Sequence, residues 1–110
     1  MSHFSCVIQE GSAADAGRAV LEERLAAMHA SHYGDEAVTV SWLPVPEGYM
    51  FTEGSQSTSS VIGAALRHET TRDQREAYMR GVCDLWTDVT GCTDHEIVVA
   101  ISTFDPDRGS

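Results

Sequence analysis

Cations are scarce in this sequence. Seven basic residues stand against seventeen acidic ones over 110 positions, a formal charge of −10. Phosphate binding needs a surplus of lysine and arginine, so the balance argues against nucleic acid as a partner. Attachment to an anionic membrane surface is disfavoured on the same ground. Cysteine is sparse too: Cys6, Cys83 and Cys92 are an odd set without a CxxC pair, which excludes a disulfide framework or a zinc ribbon of the usual spacing. Free, buried thiols in a reducing compartment are the simpler reading. His32, His68 and His95 lack ligand spacing, so neither a metal nor another cofactor is expected. The N-terminus has no basic region followed by an apolar run, and no apolar stretch approaches membrane-spanning length. The expectation is a cytoplasmic protein.

What is present is an ordinary apolar fraction, 42%, enough for one core and one domain over residues 1–110. His3 to Ile8 reads as a strand. Ser12, with Asp15 three residues on, marks a helix start. That helix is expected to run to about Ser31, with Leu21, Leu25 and Met28 on one apolar face, and Gly34 and Asp35 end it. Val38 to Leu43 reads as the second strand. Pro44 and Pro46 interrupt regular structure beyond it, Tyr49 to Thr52 is a candidate short edge strand, and Glu53 to Ser59 a polar hairpin tip. Val61 to Leu66 is the third strand. Thr71 and Gln74 form a capping-box pattern at the head of a helix to Val89, with Tyr78, Val82, Leu85 and Val89 as its buried stripe and Gly91 as its stop. Glu96 to Ser102 is the fourth strand, followed by a polar tail.

The order is β-α-β, a turn-rich link, then β-α-β again, with halves at about 2–43 and 60–102. Each half makes a parallel strand pair with a right-handed crossover. The class is α+β: a four-stranded mixed sheet with two helices on one face. Apolar residues on the uncovered face would have to be buried by oligomerisation.

Arg67 sits at the exit of the third strand, where backbone is fixed and water still reaches. A planar guanidinium held there suits a carboxylate gripped through two parallel hydrogen bonds. The plainer alternative is an ion pair with Glu69. In a β-α-β unit the helix runs back, so His29 should lie near Ser2 and His3. If the halves pack antiparallel through the first and third strands, Arg67 joins the same corner.

These residues resemble those of the tautomerase superfamily, in particular the cis-3-chloroacrylic acid dehalogenase branch. His29 falls at the same distance from the mature N-terminus as that enzyme's helix histidine. The run from Pro46 to Gly54 resembles its Pro-x-Gly-x-x-Phe-x-x-Gly link, and Ala65, Leu66 and Arg67 ahead of a helix resemble the segment carrying its substrate-binding arginine. The resemblance covers most of the chain, from Ser2 to about Asp105. It implies a homotrimer of β-α-β-β-α-β subunits with each site built around the N-terminal amine. The departures are specific. The family's amino-terminal proline is replaced by Met1 and Ser2, Thr70 stands where a second arginine is found, and the extension that supplies a glutamate and a tyrosine is missing. Hydration chemistry is therefore not implied.

If Met1 is removed, Ser2 presents a primary amine whose ordinary pKa is roughly 7.7–8.0. Burial and a nearby guanidinium would lower it into the range of a base at neutral pH. The expected function is a tautomerase-like isomerase moving a proton on an enolisable carboxylic acid or unsaturated carbonyl compound, a small-molecule substrate. Ser2, His29 and Arg67 are the catalytic candidates, and Arg67, His3 and Thr70 the substrate-binding ones. Two alternatives keep the same element order: a non-catalytic ligand-binding or assembly subunit, and a ferredoxin-like dimeric barrel.

Overall fold

A computed structural model of the chain describes residues 2–34, 36–46, 49, 51–52, 55–56, 60–66, 70–92 and 97–103. Arg67, Glu69, His68, His95, the 104–110 tail and most of the 53–59 stretch lie outside the described residues.

Strand β1, Ser2–Gln9, lies inside a four-stranded sheet. On one side it pairs in parallel with β2, Val38–Val45; on the other it pairs antiparallel with β5, Ser60–Leu66. The last strand, β6, Ile97–Thr103, runs parallel to β5. The order is β2-β1-β5-β6. No strand is inserted into either parallel pair, whereas a ferredoxin-like fold splits its β-α-β units. The dimeric-barrel alternative ends there. The sheet and its helices form the β-α-β-β-α-β fold expected from the sequence.

β2 runs two residues further than expected, through Pro44. It is an edge strand, where a residue without an N–H is tolerated. The short strand expected to border the sheet near residue 50 does not join it. Instead β3, Phe51–Thr52, pairs with β4, Ser55–Gln56, as a separate hairpin.

The first helix is two. Ser12 accepts from the Asp15 N–H and caps α1, Ala13–Ala16; α2 then spans Arg18–Tyr33. Gly17 marks the break, and close packing explains the residue: a Cβ there would lie 3.1 Å from the Ala13 carbonyl oxygen and 3.3 Å from Val89 Cγ1. Helix α3, Arg72–Thr90, carries both bonds of the capping box between Thr71 and Gln74, and Gly91 ends it in the left-handed conformation at φ 72°.

Alternation along β1 and β5 sends Phe4, Cys6, Ile8, Ile62, Ala64 and Leu66 toward the helices, where all are buried. They meet Leu21 and Leu25 of α2 and Tyr78, Val82, Leu85 and Trp86 of α3. Trp86 takes the place expected of Val89 in the buried stripe and packs 6.0 Å from Trp42, ring to ring. Burial pushes the Cys6 thiol up to about 12, with the Glu22 carboxylate adding to the effect. Among the described residues the opposite sheet face carries no helix; Leu43 and Val98 are 60% and 52% exposed.

Candidate active site at the start of β1

Four elements converge where β1 begins. Helix α2 runs antiparallel to β1 and brings its last turns back to Ser2. β5, also antiparallel to β1, delivers its C-terminal end to the same place. Helix α3 starts shortly after and contributes Tyr78 from its second turn.

The side chains that meet there are polar and buried. Ser2, His29 and Tyr78 have no exposed surface. His29 Nδ1 is 2.9 Å from the Tyr78 hydroxyl and its Nε2 is 2.8 Å from Glu36 Oε2. The other Glu36 oxygen makes a long contact, 3.5 Å, with Ser2 Oγ. A carboxylate can only accept, so Nε2 carries the proton toward Glu36. At Nδ1 the ring meets the Tyr78 hydroxyl, which can donate to it. Burial raises the Tyr78 pKa, with Tyr33 and Glu36 adding to it, so the phenol stays protonated and available as a donor. Burial also raises Tyr33.

Aromatic rings cage the imidazole. Tyr33 lies 5.3 Å away between centroids, and Tyr78 and Phe4 present T-shaped contacts at 5.9 and 6.5 Å. Glu36 is different: its side chain keeps 20% of its surface. The carboxylate is the point at which the chain Tyr78–His29–Glu36 reaches water.

Of the residues singled out in the sequence, the structure brings Ser2 and His29 together. Both His29 ring nitrogens are engaged below the surface. His3 turns to the opposite sheet face, where its nitrogens meet Thr39 Oγ1 and Ser41 Oγ of β2. Parity along the strand requires this, since Ser2 and Phe4 face the helices. Thr70 is half-buried ahead of α3, and its carbonyl oxygen and hydroxyl accept from Arg75 Nη1 at 2.8 and 3.1 Å. Arg67 follows Leu66, the last described residue of β5. The register that pairs His3 with Ala65, read on by one residue, sets Ser2 opposite Leu66.

Sequence reasoning passed over Glu36 and Tyr78 as site residues. Glu36 is one of seventeen acids, and nothing local marks it. Tyr78 did carry a signal: a phenolic oxygen in a buried stripe needs a partner. Among the described residues, no cluster of three or more His, Cys, Asp or Glu is placed to hold a metal, and no helix is long and apolar enough to cross a membrane.

No family model matches the chain, and no curated protein is significantly similar to it in sequence. Solved structures do match. Native Ps01740 superposes with a TM-score of 0.87 at 24% identity, over 98% of each chain. N1, a member of the cis-3-chloroacrylic acid dehalogenase family, gives 0.82 at 16%, over 98% of this chain and 78% of that one. A fused 4-OT symmetric trimer gives 0.82 at 12%, over 93% and 85%. The fold is therefore the one found in structures of the tautomerase superfamily.

Proposed function

We propose that the chain is a tautomerase-like isomerase that moves a proton on an enolisable carboxylic acid or an unsaturated carbonyl compound. The observation that carries the reading is the meeting of Ser2, His29 and Glu36 at the start of β1, on a scaffold shared with tautomerase structures. β5 ends beside that start, and Arg67 follows it in the sequence. A guanidinium there would hold the substrate carboxylate and stabilise the oxyanion that forms as the enol and keto forms interconvert. Proton transfer is assigned to the amino-terminal corner, where removal of Met1 would leave the Ser2 amine. His29, enclosed on all sides, would act through Glu36 rather than on the substrate.

The working unit would be a homotrimer. The uncovered sheet face exposes Leu43 and Val98, and a fused 4-OT of the same fold is a symmetric trimer. Sedimentation should return three times the chain mass; a stable monomer would overturn this part of the reading.

The decisive test is turnover of phenylenolpyruvate and of a 2-hydroxydienoate, wild type beside Arg67→Ala. Losing the anion holder should cut kcat/KM by about 100-fold or more, the scale of one removed oxyanion donor. Equal rates in the two proteins would take Arg67 out of the mechanism. A wild type that binds both compounds and turns over neither would assign the scaffold to ligand binding instead.

A further inference from the structure

We infer that Glu36 is the proton carrier of this site, and that His29 and Tyr78 are positioning residues that aim it. This rests on the isomerase reading above and specifies which group in the corner moves the proton.

A general base needs a lone pair within reach of the substrate and a second group that fixes its orientation. Three polar side chains form the chain at this corner, and burial separates their roles. Tyr78 and His29 have no exposed surface, so neither can touch a bound molecule. Glu36 keeps 20% of its side-chain surface and stands at the outer end. One of its oxygens is fixed by His29 Nε2 at 2.8 Å. The other is directed toward Ser2, 3.5 Å from its hydroxyl, at the start of the strand beside which β5 ends. The imidazole cannot swing, because Tyr78 holds Nδ1 at 2.9 Å and Phe4, Tyr33 and Tyr78 enclose the ring.

The order of groups is phenol, imidazole, carboxylate, with the carboxylate at the working end. A glutamate on its own is a flexible side chain that must be ordered at an entropic cost. A charge-assisted bond from a caged imidazole meets that cost before substrate arrives. Carboxylates placed in this way are effective bases toward carbon acids next to a carbonyl.

In the ketonisation direction the enol O–H bond breaks and its proton passes to the Glu36 carboxylate. The oxygen becomes a carbonyl, and the C=C electron pair takes the same proton from Glu36 to form the new C–H bond. One proton has moved from oxygen to carbon. Glu36 ends as it began, and no oxidant, reductant or co-reactant is consumed.

The test is steady-state ketonisation of phenylenolpyruvate by Glu36→Gln, Tyr78→Phe and wild type. Glutamine keeps an oxygen for the His29 N–H but cannot carry the proton, so kcat should fall by about 100-fold or more, within the usual range for a lost general base. KM should stay within about threefold, because the anion holder is untouched. Tyr78→Phe should lower kcat by roughly tenfold at constant KM, a split that a purely structural role would not produce. Should Glu36→Gln fail to fold, Glu36→Asp keeps the charge and draws the carboxyl back by one methylene. A kcat at least tenfold lower would support the assignment, and an unchanged kcat would overturn it. A Glu36→Gln enzyme with wild-type kcat, beside an impaired Arg67→Ala, would remove Glu36 and leave the isomerase reading intact. A wild type without turnover would remove both.

Discussion

At one end of the helix–sheet interface, Tyr78, His29 and Glu36 are joined in a continuous hydrogen-bonded chain beside buried Ser2. At the other end Trp86 is equally buried, yet its indole Nε1 has no partner among the described residues. Its neighbour Trp42 reaches outward instead, donating to Glu22 Oε1 at 2.6 Å with the Arg18 guanidinium 5.8 Å over its ring. The tryptophan end is held by area and tolerates orphaned polar atoms, Thr87 Oγ1 and Arg18 Nε as well as the indole N–H. The other end is held by connection, and each member there depends on the next. An unmet buried donor costs about 1–3 kcal/mol, which the contact area of a large ring can absorb. A polar chain so close to a strand start, fully partnered and open to water at one carboxylate, is the end suited to chemistry.

Truncation should show the difference most strongly. Trp86→Ala removes a fully buried indole and should lower unfolding free energy by about 3–5 kcal/mol in a urea titration. A loss below about 1 kcal/mol would mean that area does not hold that end. At the other end the expected signature is coupling rather than size. His29→Leu should cost about 2–3 kcal/mol and Tyr78→Phe about 1–2 kcal/mol, since each leaves a buried group without its partner. The double variant should cost less than the two singles added together, by roughly 0.5–3 kcal/mol. Strict additivity would dissolve the chain into separate contacts.

Much of this was legible in the sequence because it rests on local pattern. The strand around Val61, the capping box of Thr71 and Gln74, and the return of α2 toward Ser2 all follow from periodicity and chirality. That the third strand ends beside the start of the first follows once the halves pack antiparallel, but the register that sets Ser2 opposite Leu66 does not, since a two-residue slip keeps the same faces. Glu36 was not legible for a physical reason. Its role depends on a hydrogen bond to His29, seven residues away around a turn whose path is set by tertiary packing. The close packing that favours glycine at position 17 was hidden for the same reason, since it involves the approach of Val89 from another helix. His3 could have been placed correctly: if Phe4 faces the helices, strand alternation alone turns His3 away.

Alkaline pH should weaken both ends, and the two can be separated. Cys6 sits toward the tryptophan end, paired with Trp42 in the register. Its thiol is raised from an ordinary 9.0 to about 12. The folded state then holds a proton that the unfolded chain gives up, so stability is full below pH 9 and falls as pH rises toward 12. The slope for one such proton is about 1.4 kcal/mol per pH unit. Tyr78 acts in the same direction from its own ordinary value upward. Cys6→Ala should flatten the curve from about pH 9, and Tyr78→Phe only from about pH 10. Urea midpoints across that range would show the two onsets; a curve unchanged by either substitution would mean that the group removed is not held protonated by the fold.

The smallest effect is expected between the two ends, on the outside of the helical layer. Arg24 Nη1 lies 2.8 Å from Asp88 Oδ2, joining α2 to α3, but the side chains are 43% and 67% exposed. Water and salt screen such a pair, and ordering two long side chains offsets most of the attraction. Arg24→Ala should therefore change stability by no more than about 0.5 kcal/mol, and by less in high salt. A side-chain hydrogen bond to a carboxylate drawn below the surface, as from His29 to Glu36, should be several times more sensitive. If Arg24→Ala and His29→Leu cost the same, burial is not what distinguishes the corner at Ser2. The contrast between a connected end and an area-held end would then have to rest on the identity of the rings alone.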